Sequence, residues 1–101
     1  MNDKVTYLVQ LSQRERKIAI GASAVEAQVI NGRARLIIFA EDVAEPTRQR
    51  ILRHEPGCPT LVWRRKDDWG AVFDRKEVGV ISITDKHFAQ GILRHAAEQN
   101  K

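Results

Sequence analysis

Arg35-Leu36-Ile37-Ile38-Phe39-Ala40 is the stretch that decides the fold. It is short, rich in β-branched residues and apolar throughout. A strand with one face in water shows polar residues at every second position. A strand covered on both faces reads as an unbroken apolar run, as this one does. The stretch therefore predicts a sheet sandwiched between helices.

The flanking sequence supplies those helices. Val25, Val29 and Ile30 predict one face of a helix that Gly32 ends, and Ser23 offers a side-chain oxygen near its start. Before it, Val5, Leu8 and Leu11 recur at helical spacing, followed by Arg14, Arg16 and Lys17. They predict a helix over 4–17, broken at Gly21. After the strand, Glu41 to Pro46 reads as a loop, with Pro46 fit for the first turn of a helix to about 54 whose buried side is Ile51 and Leu52. Glu55-Pro56-Gly57 is turn chemistry. A second strand is predicted over 59–63, with Val62 buried in the sheet like Leu36, Ile38 and Ile81, and a short helix over 66–74 holding Trp69, Val72 and Phe73. Val78, Val80, Ile81 and Ile83 predict a third strand. Thr84 or Asp85 then caps a last helix with a stripe of Phe88, Ile92, Leu93 and Ala96. Helices alternating with short apolar strands predict an α/β sandwich.

The chain has 101 residues, 43% hydrophobic and 30% charged, which predicts a single globular domain over 1–101 with a polar fray at Glu98 to Lys101. No apolar run approaches the ~20 residues of a membrane span. Met1-Asn2-Asp3-Lys4 opens no apolar signal segment, and Cys58 is the single cysteine, so a reducing cytoplasmic setting is expected with no membrane partner. Seventeen Lys+Arg against thirteen Asp+Glu give a net charge of +4, a mild lean toward a polyanionic partner.

No residue set predicts catalysis. Glu41 and Asp42 end the buried strand, but strand alternation sends adjacent side chains apart, and a loop or capping role fits them. Asp67 and Asp68 open a helix and meet its dipole. His54 and Cys58 form one loose pair interrupted by Pro56-Gly57, short of the three or four ligands that zinc takes, so Cys58 is expected to be buried and metal-free. Ser23 lacks an elbow motif, and no nucleophile, base and orienting group assemble. The chain is expected to be non-enzymatic and to hold no cofactor. Basic clusters at 14–17, 33–35, 48–54, 64–66 and 75–76 are arginine-rich, and the arginine fork suits phosphates and base edges. Trp63 and Trp69 flank one of them, in positions fit for partly buried core or for base stacking.

Taken together, Leu11-Ser12-Gln13-Arg14-Glu15-Arg16-Lys17, then Gly21, then Asn31 through Ala40-Glu41-Asp42-Val43 resemble the seven-Ae ribosomal protein family, nearest its bacterial YlxQ-type members. Glu45-Pro46-Thr47-Arg48 resembles the family's third-helix start. Cys58-Pro59 stands where the family has Val-Pro. Val78 to Asp85 resembles its last strand, and Phe88-Ala89 the start of its last helix. The resemblance runs from about 4 to 95.

The resemblance implies a three-layer α-β-α sandwich with a four-stranded mixed sheet, one strand more than the periodicity places. It implies binding of structured RNA, of kink-turn or ribosomal type. The RNA surface it implies comprises the second-helix start at Gly21, Ala22, Ser23, Ala24 and Ala27, and the loop at Glu41 and Asp42. It also includes the segment before the last strand at 75–80, with Glu77, Val78, Gly79 and Val80 as an apolar cover, and phosphate contacts from Arg14, Arg16, Lys17, Arg33 and Arg35. Family binders carry Gly-Thr-Asn-Glu-x-x-Lys at that helix start. Here Ala22, Ser23, Ala24 and Ala27 stand at the threonine, asparagine, glutamate and lysine places. Each bidentate base contact is worth ~1–3 kcal/mol, so their loss costs specific readout roughly two orders of magnitude. A family member acting through ribosomal, transcription-factor or translation-factor proteins is the alternative that these alanines favour.

Overall fold

The computed structural model describes residues 3–99. Its elements run α1 (Lys4–Arg14), β1 (Ile18–Ile20), α2 (Ala22–Ile30), β2 (Leu36–Phe39), α3 (Glu45–Leu52), β3 (Thr60–Val62), α4 (Lys66–Val72), β4 (Val80–Ile83) and α5 (Lys86–Gln99). The four strands form one mixed sheet in the order β1-β4-β2-β3. β4 pairs antiparallel with both β1 and β2, and β2 pairs parallel with β3.

β2 and β4 are central, and every residue in both is buried. Alternation splits β2 between two cores. Leu36 and Ile38 meet Val5 and Val9 of α1, Trp69 of α4 and Ile92 of α5. Ile37 and Phe39 meet Val25 and Val29 of α2 and Ile51 of α3. The α-β-α sandwich that the unbroken apolar run predicts is therefore present, with α1, α4 and α5 on one face and α2 and α3 on the other. No helix among the described residues is long and apolar enough to cross a membrane.

Three expectations are corrected. The helix predicted over 4–17 stops at Arg14. The Arg16 amide donates to the Gln13 carbonyl and the Lys17 amide to that of Ser12 (2.8 Å), which turns the chain out of the helix. Ile18-Ala19-Ile20 then takes the open side of β4 and becomes the fourth strand, which the periodicity had absorbed into the helix.

Val62, expected to be buried, is 52% exposed. It lies beside Phe39 on the α2–α3 face, but β3 is the sheet's outer strand and that helical layer does not cover it.

Ile30, expected on the buried face of α2, is exposed. Val25 and Val29, four apart, hold the buried stripe, and the next residue lies about 100° further round the helix.

The remaining boundaries move by a few residues. α3 ends at Leu52, α4 at Val72, and β4 begins at Val80. α5 continues through Glu98 and Gln99; Asn100 and Lys101 of the expected fray lie outside the described residues. Asp85 caps α5, its Oδ1 accepting from the Phe88 amide at 2.9 Å.

Candidate functional site

The sheet has two ends, and strand direction decides what gathers at each. β2 and β3 end, and β4 begins, at the edge where α2 starts. There the Gly21 amide donates to the Val80 carbonyl (2.9 Å), tying the start of α2 to the segment before β4. Gly21 has φ +92, a conformation that side chains with a Cβ rarely adopt, and this lets the chain turn directly from β1 into α2. The Ala40 amide donates to the Gly79 carbonyl, and the Val78 amide to the Lys66 carbonyl. Asp42 Oδ1 accepts from the Lys66 amide at 2.8 Å, and Asp42 Oδ2 pairs with Arg65 at 3.3 Å. The Lys66 amide, and then Arg65, hold the Asp42 carboxyl below the usual carboxylate range.

These bonds bring Gly21, Ala22, Ser23 and Ala24 together with Glu41, Asp42 and the segment Glu77 to Val80. Ser23 and Ala24 are exposed, and Ala27 is exposed a turn further along α2. Val78 and Val80 are 3% and 1% exposed. Their side chains fill the two cores, so the outer surface of the segment is Glu77 and Gly79. Val43 adds a half-buried methyl, with its Cγ2 3.3 Å from where a Cβ on Gly79 would stand.

Arg14, Arg16, Lys17, Arg33 and Arg35 do not join this group. They lie at the opposite edge, where β1 and β2 begin and β4 ends. The Thr84 amide donates to the Lys17 carbonyl and the Arg35 amide to the Ile83 carbonyl, which fixes both segments beside the start of α5. Lys17 pairs with Asp85 at 3.3 Å. A cleft of about 440 Å³ also opens at this edge, with Arg35, Cys58 and Lys86 among its walls. Cys58 is buried, and its sulfur lies 3.7 Å from the Ala34 carbonyl. Among the described residues, no three His, Cys, Asp or Glu side chains gather as a metal site would require.

Two basic residues of the segment expected at the RNA surface, 75–80, matter at the α2-start edge. Arg75 places its guanidinium 3.8 Å from the Cβ position of Gly21, and neither Arg75 nor Lys76 makes an ion pair among the described residues. Their basic character was legible in the sequence; the approach of the Arg75 guanidinium to Gly21 is set by the α4–β4 turn. Arg64, just past the end of β3, is a structural residue. Its side chain is 12% exposed, donates to Thr6 Oγ1 at 3.0 Å and lies over the Trp69 ring. Trp69 is fully buried with its Nε1 donating to the Trp63 carbonyl at 2.6 Å, which removes it from base stacking.

No protein-family profile matches the chain, and no curated protein matches it. Solved structures do. A protein with unknown function from Bacillus halodurans superposes with a TM-score of 0.85, over 95% of this chain and 99% of that one, at 23% identity. The Giardia lamblia 15.5kD RNA binding protein superposes with a TM-score of 0.68, over 97% of this chain and 89% of that one, also at 23% identity. The α-β-α fold is therefore one that an RNA-binding protein also uses.

Proposed function

We propose that this chain is a non-enzymatic module that binds structured RNA at the α2-start edge, as a ribosome-associated kink-turn binder with reduced base readout. The observation that carries the reading is the convergence of the α2 start, the loop after β2 and the turn before β4, with the Arg75 guanidinium beside Gly21 and neither Arg75 nor Lys76 ion-paired among the described residues. The fold shared with the Giardia RNA-binding protein supports it. The backbone amides at 22–24 and the two cations meet phosphate. Ser23 is the single side chain on the first turn of α2 able to exchange a hydrogen bond with a base.

Fluorescence anisotropy with a kink-turn RNA and a plain stem-loop, at two salt concentrations, tests this reading. The protein is expected to bind both, with weak preference and steep salt dependence. Ser23→Asn with Ala24→Glu and Ala27→Lys is expected to raise affinity for the kink-turn alone, by roughly tenfold or more. Arg75→Gln is expected to weaken kink-turn binding and flatten its salt slope. Absence of binding to either RNA refutes the reading and favours a protein partner.

A further inference from the structure

We infer that the opposite edge, where α5 starts, is a second RNA surface that grips the sugar–phosphate backbone of a double-helical segment. The inference rests on the RNA-binding reading above and makes a separate surface of basic residues that the resemblance counts with the α2 start. Charge distribution is the first observation. The segments 14–17, 31–35, 55–59 and 84–87 hold six Lys or Arg against three carboxylates. The segments of the α2-start edge, 21–24, 40–45, 64–68 and 74–79, hold five cations against seven carboxylates. Of the two ends of the sheet, the one away from the α2 start is therefore the positive one.

The cations there are also available. Arg14, Arg16, Arg33 and Lys86 are exposed and make no ion pair among the described residues. β1 and β2 flank β4, so Lys17 and Arg35 stand at strand starts about 10 Å apart. That spreads the charges over a breadth that a single bound ion would not use. The edge segments contain no Phe, Tyr or Trp. Single-stranded RNA is held by aromatic stacking, whereas a duplex is held by its backbone, so the chemistry fits a duplex.

Backbone conformation is the second, independent observation. α1 and α2 end in the same motif. Gly32 and Arg33 donate to the Val29 and Gln28 carbonyls, as Arg16 and Lys17 do to those of Gln13 and Ser12. The left-handed position of that motif favours glycine. α2 has Gly32 there, at φ +70; α4, which ends in the same way with the Arg75 amide donating to the Gly70 carbonyl, has Asp74, at φ +58, a residue type that tolerates the conformation; α1 has Arg16, at φ +61. Cations at a helix C-terminus do favour its dipole, but Arg14 and Lys17 already supply that charge. Arg64, at φ +60, takes the same conformation but its side chain is held by Thr6, Asp3 and Trp69; the Arg16 side chain has no hydrogen bond or ion pair among the described residues, so its strain points to a contact outside the fold.

The test uses the whole protein, a fully paired RNA duplex of about 16 base pairs and a kink-turn RNA, titrated between about 50 and 200 mM salt. Arg16→Gly is expected to raise the melting temperature while weakening duplex binding and flattening its salt slope by about 0.9. Adding Arg14→Gln, Arg33→Gln and Lys86→Gln is expected to cut duplex affinity by about tenfold or more. A control variant, Arg75→Gln with Lys76→Gln, is expected to weaken the kink-turn and spare the duplex.

Duplex affinity and slope unchanged in the quadruple variant overturn the second surface; a control that still weakens the kink-turn leaves the first reading standing. A control without effect on the kink-turn, beside a quadruple variant that loses both RNAs, sustains the second surface and overturns the first. Binding of neither RNA by the unaltered protein overturns both.

Discussion

Two glycines inside helices should respond to alanine with opposite signs. Gly70 in α4 is buried, and a Cβ there would lie 2.6 Å from the Lys76 carbonyl oxygen, 2.7 Å from that of Arg75 and 2.8 Å from the Glu77 Cα. All three are backbone atoms, so no side-chain rotation relieves the overlap. The Arg75 amide donates to the Gly70 carbonyl at 2.8 Å, which binds the turn tightly over the glycine. Alanine gains about 1 kcal/mol of helix propensity over glycine. Overpacking costs about 1–3 kcal/mol, and a clash with backbone belongs at the upper end. The clash wins, leaving a net loss of about 2 kcal/mol, or roughly 8–16 °C in Tm for a domain of this size. At Gly91 in α5 the same Cβ meets only Leu8 Cδ1 at 3.5 Å, an ordinary contact. There propensity decides, and Gly91→Ala should gain about 0.5–1 kcal/mol and a few degrees. Thermal melts followed by circular dichroism at one pH measure both. A Gly70→Ala melt at or above the unaltered protein's, or a Gly91→Ala melt below it, refutes the reasoning. Because Gly70 seats the turn that carries Arg75, Gly70→Ala should also weaken kink-turn binding below its melting point.

Other outcomes follow from burial and charge. Ile38→Ala, at a fully buried central-strand position, should cost about 2–5 kcal/mol in urea unfolding, whereas Val62→Ala should stay within about 0.5 kcal/mol. The Phe88 amide, and then Lys17, lower the Asp85 carboxyl's pKa in the fold, so its stabilisation is complete above the unfolded value and lost as pH falls through the folded one. The Tm gap between the unaltered protein and Asp85→Asn should accordingly be widest near neutrality and close as pH falls through and below the ordinary carboxylate range. Burial, and then Glu55, push the Cys58 thiol up. Iodoacetamide should label it at least about tenfold more slowly in the native protein than in urea at neutral pH, and faster as pH rises; equal rates would contradict its burial.

The central strands were readable because covering a strand on both faces removes every polar position from it, and β2 and β4 are such strands. Val62 misled because an apolar residue on an outer parallel strand looks the same in sequence as one on an inner strand. β1 was hidden by Arg16. With glycine there, the end of α1 would have been as plain as the end of α2 at Gly32. The meeting of Gly21 with Val80 was suggested by the resemblance, since the two lie far apart in the chain. The division of the basic residues between two edges depends on β1 running antiparallel to β4, a fact carried by no single residue. Arg64 shows the converse limit: composition counts it with the surface charges, whereas the fold uses it to join the α1 start to Trp69.

The placing of β4 has a consequence for how the chain acquires its structure. β1 pairs with no other strand, and its Ile18 meets Ile83 about 65 residues later. Closing a loop of that length costs about 4 kcal/mol of chain entropy before the pairing returns anything. Until β4 is made, the possible pairing is the parallel one of β2 with β3, which leaves one side of an apolar strand open. A chain emerging from the ribosome would therefore hold that side unmatched until its last strand appears, and then complete β1, β4 and β2 in one cooperative step. Delay at that step, more than instability of the finished sheet, is where aggregation would begin.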